Sequence, residues 1–109
     1  MGRYLVMVDE SMSFKDLSEM RVGDKFYETD MGMMCMSIVK TPVAKSLDED
    51  GNNVIDFKAD VYDFNFKIND WLEGSREVLY KSNEGFMIYG GRFYKDYCVW
   101  DREEQKVIE

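Results

Sequence analysis

Six carboxylates fall between residues 48 and 63: Asp48, Glu49, Asp50, Asp56, Asp60 and Asp63. Acid–base chemistry needs such groups in pairs. Asp56 and Asp60 share one face of an extended chain, where nearest same-face residues lie about 6.5–7 Å apart, a spacing that overlaps carboxylate pairs in sugar hydrolysis, although these two, four residues apart, lie about twice as far. Any two residues on a wet strand face have the same spacing, so an enzyme is not the expected reading. Three acids around Gly51 also invite a calcium loop. Counted from Asp48, glycine comes fourth and Ala59 twelfth, where that loop needs glycine sixth and glutamate twelfth.

A second group interleaves rings with bases, Tyr89, Arg92, Phe93, Tyr94, Lys95 and Tyr97, as stacking platforms for single strands do. Glu84 and Asp96 flank it, and the chain carries a net charge of -8, so direct nucleic-acid binding is not expected. The chain has no histidine, which removes Ser-His-Asp and Cys-His catalysis and the histidine-bearing zinc sites. Cys35 and Cys98 cannot make a four-cysteine site, and they read as reduced thiols of a cytoplasmic protein. There is no phosphate-binding or dinucleotide glycine loop. Neither a metal nor a cofactor is expected.

The elements that position these residues read as one β-rich domain over residues 1–109. Its centre is Val54 to Ile68, where Ile55, Phe57, Ala59 and Val61 alternate with Asp56, Lys58 and Asp60. Phe64, Phe66 and Ile68 continue in the opposite phase, which predicts a bulge or bend near Tyr62–Asp63. Arg3–Val8 reads as a short central strand. Ser13 and Asp16 form a helix-start signal ahead of Leu17 and Met20. Lys25–Asp30 and Met33–Val39 read as strands, the second ending near Pro42. Phe26 and Tyr27 fall on opposite faces, so one of them needs a second packing surface.

Ser46–Asn53 is the expected exposed hairpin loop, with Asp50-Gly51 as its turn signal. Asp70–Gly74 reads as a second helical turn, followed by a strand through Val78–Lys81. Phe86–Tyr89 and Arg92–Trp100 then close a meander around Gly90-Gly91, and the charged C-terminal stretch frays or makes a helical turn. The expected fold is mainly β: a small, strongly bent antiparallel meander or partly open barrel with one or two short helical turns.

Residues 46–70 hold seven acids against Lys58 and Lys67, a net -5 of the total -8. Such a field attracts basic surfaces. The expected function is a small acidic protein-binding module, an inhibitor or adaptor that engages a basic protein or the nucleic-acid-binding surface of one, including by nucleic-acid mimicry. Its contact residues are the six carboxylates together with Tyr89, Phe93, Tyr94 and Tyr97. Small acidic proteins of phages and mobile elements have this size and charge, which would place the chain in a host cytoplasm. No run approaches the roughly 18 apolar residues of a membrane span. The alternatives are a structural subunit that assembles through an edge strand such as Met33–Val39, a single-stranded nucleic-acid binder, and a small carboxylate enzyme.

Overall fold

A computed structural model describes residues 3–6, 11–30, 33–65, 67–68, 70–85, 92–101 and 103–108. In chain order the elements are β1 (Arg3–Val6), α1 (Phe14–Ser18), β2 (Lys25–Asp30), β3 (Met33–Val39), β4 (Ala44–Leu47) and β5 (Asn53–Asn65). They continue with β6 (Asp70–Trp71), β7 (Arg76–Asn83), β8 (Arg92–Tyr94), β9 (Cys98–Asp101) and β10 (Lys106–Ile108). The 13 residues of β5 are the spine. One of its edges pairs antiparallel with β4 and then β3, and the other with β7 and then β6. With β2 on β3 and β8 on β2, a 7-stranded antiparallel sheet results, and β1, β9 and β10 form a 3-stranded one.

Alternation along β5 sorts the two faces of the large sheet. Ile55, Phe57, Ala59 and Val61 are buried on one of them. Cross-strand register adds Phe26, Ser37, Val39 and Tyr80 to that face. Tyr80 on β7 and Phe93 on β8 come from opposite sides of the sheet, yet their ring centroids are 6.0 Å apart and both lean on Phe26, at 5.3 and 5.4 Å. The sheet is therefore strongly bent, as the sequence predicts, but the described strands do not close into a barrel. Edge-to-face ring pairs of this kind add about 0.5–1.5 kcal/mol each beyond area burial.

Helix α1 lies over this concave face and buries Leu17 in it. Its capping box is the one read from the sequence: the Ser13 hydroxyl accepts the Asp16 amide at 3.2 Å, and the Asp16 carboxylate accepts the Ser13 amide at 2.9 Å. Bending has a local cause on each edge of β5. Residues 40–43 stand opposite only 57 and 58, and the Lys40 and Thr41 amides both donate to the Lys58 carbonyl, at 2.8 and 3.2 Å. Across β5, residues 72–75 stand opposite 62 and 63, where Gly74 turns at φ 85.

Those extra residues correct the expected bulge at Tyr62–Asp63. β5 runs through in unbroken register with β3, and the insertion lies on the partner strand instead. Phe64 therefore stays on the outer face, where it meets Trp71 at 5.0 Å. Tyr27 and Tyr97 join them, 4.6 Å from each other, and form the second packing surface required by the Phe26-Tyr27 pair. Asp70–Gly74 is not a helical turn, because Asp70 and Trp71 pair with Asn65 and Phe64 as a short strand.

Three further expectations need correction. β1 is an outer strand of the small sheet rather than a central one. Arg92–Trp100 is split into β8 and β9, which belong to different sheets. The C-terminal stretch is a β9–β10 hairpin whose turn includes Gln105 at φ 54. Met33–Val39 lies between β2 and β5, so it offers no free edge for assembly. The expected strand at 86–89 and the Gly90-Gly91 turn lie outside the described residues.

Candidate functional site

The carboxylates do not act as one surface; strand parity and neighbours divide them. At the β4–β5 turn, Asp48 is drawn inward. Its carboxylate accepts the amides of Asp50 at 2.9 Å and Asn52 at 2.8 Å, and also the side-chain amide of Asn83. Gly51, at φ 83, lets the chain reverse beneath it. At the adjoining end of β7, one Glu84 carboxylate oxygen accepts both the backbone amide of Asn53, at 2.7 Å, and its side-chain amide, at 2.9 Å.

These bonds favour the ionised forms. The Asn52 amide first, then the Asn83 amide, holds Asp48 below the usual carboxylate range. Backbone and side-chain amides of Asn53 do the same to Glu84, against a smaller opposing push from the nearby Asp48 charge. Glu49 and Asp50 are exposed beside them. Among the described residues, none of these four acids makes an ion pair. This end is also tightly built, since a Cβ at Gly85 would sit 3.0 Å from the Asn52 side-chain nitrogen.

Further along β5, Asp60 and Asp63 have cations, while Asp56 makes no ion pair among the described residues. Asp56 and Asp60 share the outer face, as their spacing predicts, with Lys58 between them. Asp60 lies 3.9 Å from Lys40, which also reaches Glu77 at 2.6 Å, and Lys58 closes on Glu77 at 3.5 Å. Asp63 is on the concave face, where Arg76 bonds its two oxygens at 3.0 and 2.9 Å. The Cys35 thiol donates to Asp63 at 3.4 Å. Burial pushes that thiol up in pKa, which disfavours the reactive thiolate. Beside it, the Tyr80 hydroxyl donates to Glu28 at 2.8 Å and meets Ser37 at 2.9 Å, and burial raises its pKa as well. Both cysteines are free thiols, Cys35 buried and Cys98 half-buried.

The ring residues are likewise divided. Phe93 is in the core. Tyr94 is half-buried on the outer face opposite Tyr27, and the Tyr97 hydroxyl accepts the Trp71 indole N–H at 3.1 Å. Tyr89 lies outside the described residues. Phe93, Tyr94 and Tyr97 thus serve two packing surfaces rather than one stacking row. Among the described residues no group of three or more potential ligands is arranged to hold a metal, and no helix is long and apolar enough to cross a membrane.

Sequence reasoning missed Glu84, together with Asn53 and Asn83, which build the hairpin end. Its only trace in the chain is polar residues at the ends of two strands, and their pairing is long-range. No family model, curated protein or solved structure matches the chain.

Proposed function

We propose that this chain is a small acidic protein-binding module, an inhibitor or adaptor, that engages a basic protein surface through Asp48, Glu49, Asp50 and Glu84. One observation carries the reading: Asp48 and Glu84 are fixed by N–H groups with no cation among the described residues, whereas Lys40 and Arg76 engage Asp60 and Asp63. Carboxylates that are already ordered lose little rotamer freedom on binding. Their field steers a basic partner toward this end of the sheet. A partner surface of this chemistry is also one that holds nucleic-acid phosphates, so mimicry is the sharper form of the same proposal.

The test begins with a partner retained on the immobilised chain at low salt. Association and dissociation rates are then compared for Glu49→Gln/Asp50→Asn/Glu84→Gln and for Asp60→Asn/Asp63→Asn, between about 50 and 300 mM salt. The triple variant should associate about tenfold more slowly at low salt and lose most of its salt dependence, while the double variant keeps wild-type rates. Equal rates for the wild type and the triple variant at every salt concentration contradict the proposal. Displacement of the partner by duplex DNA separates mimicry from binding elsewhere on a basic surface.

A further inference from the structure

The two edges of the β3–β4 line differ in their cover. β2 runs along β3, with the last bonds at Val39, whose amide donates to Asp24 and whose carbonyl accepts from Gly23. At Gly23, φ 92, the chain turns away toward α1. β4 continues the β3 line but has no strand outside it among the described residues, and all four of its residues are exposed. The Asp48 amide donates to Asn52, so by antiparallel alternation Ser46 and Ala44 also bond toward β5. Lys45 and Leu47 therefore point their N–H and C=O groups outward. Beside this edge, in line with the end of β2, lies a groove of about 620 Å³ whose apolar lining is Met20, Val22, Pro42 and Val43.

We infer that β4 is a docking edge for an extended segment of another protein, which adds a strand end to end with β2 and places apolar side chains in the groove. Backbone donors and acceptors at strand spacing, with no strand partner among the described residues, select an extended chain over a helix. Charge selects its composition: Asp48, Glu49 and Asp50 stand just past the C-terminal end of β4 and favour basic residues there, while the groove at the other end carries Glu19 against Arg21 and Lys45. A second copy of this chain is disfavoured, because each carries -8. The inference shares with the proposed function only the premise of a protein partner, because it concerns backbone pairing rather than carboxylates.

The probe is a capped hexapeptide alternating lysine and valine, with a second in which serine replaces lysine, read by amide hydrogen exchange. The lysine peptide should slow exchange at Lys45 and Leu47 by about tenfold or more, leaving Ser46, already bonded to β5, unchanged. Lys45→Pro removes an outward N–H without touching a bond to β5 and should abolish the effect, while Lys45→Ala should retain it. Unchanged exchange at saturating peptide, or equal responses of the two variants, overturns the inference. So does slowing that depends on protein concentration without peptide, which would mean self-pairing. If both peptides protect the edge equally well, the docking edge stands and the acidic reading fails. If the lysine peptide binds but Lys45→Pro has no effect, the reverse holds.

Discussion

Around the β4–β5 turn, Asp48 and Glu84 are held by backbone and asparagine N–H groups. Further along the same strand, Arg76 bonds both oxygens of Asp63, and Lys40 stands 3.9 Å from Asp60. Both regions contain ordered carboxylates, but an N–H group orders a carboxylate and leaves its charge, whereas a lysine or arginine orders it and cancels the charge. A count of acids along residues 46–70 treats all seven alike. Once the sheet supplies cross-strand neighbours, Asp60 and Asp63 leave the uncompensated set, and Glu84 joins Asp48, Glu49 and Asp50 at one end.

The comparison depends on the bent sheet that keeps the two regions apart, so the largest effect should come from its hub. Phe26→Ala removes the ring that Phe57, Tyr80 and Phe93 all contact, and should cost about 3–5 kcal/mol in denaturant unfolding. Both regions should then lose amide protection together. Tyr80→Phe sharpens the contrast, because it strips the fully buried Ser37 of its phenol partner on the concave face. It should cost about 1–3 kcal/mol while the Asp50 and Asn52 amides keep their protection. Smaller again is Asp48→Ala, which frees two turn amides and the buried Asn83 side chain and should lower the melting temperature by several degrees. Glu49→Gln and Asp50→Asn should leave it unchanged, although all three are acids of one loop. Equal effects of the three substitutions would erase the distinction between a carboxylate that builds the turn and those that only charge it.

How much of this was legible depended on whether the signal was local. The Ser13–Asp16 capping box, the Gly51 turn and the alternation from Ile55 to Val61 each lie within a few residues, and each forms as read. The alternation misplaces Phe64 because its apolar character suits either face, and only the Trp71–Tyr97 cluster on the outer side decides which one. Asp70–Gly74 reads locally as a helical turn, and only the long-range pairing of Asp70 with Asn65 makes it a strand. Arg92–Trp100 reads as one strand because its residues favour strand throughout, while its two halves join different sheets. In the candidate site, the loop acids were visible, but the role of Asp48 in the turn and the approach of Glu84 were not. Asn53 and Glu84 are brought together by the β5–β7 register, which no spacing in the chain records.

The central claim is that the hairpin end holds fixed negative charge, and an NMR pH titration of the side-chain carboxyl carbons addresses it most directly. Asp48 and Glu84 should titrate below their ordinary values of 3.8 and 4.5, with the Asp50 and Asn52 amide shifts following the Asp48 midpoint. A carboxylate whose pKa is depressed by folding stabilises the native state above its unfolded pKa, and that contribution is lost as the pH falls through the folded value. The loop should accordingly stay ordered at neutral pH and loosen only on acidification below about pH 4. Midpoints at or above 3.8 and 4.5, with amide shifts indifferent to them, would contradict the account.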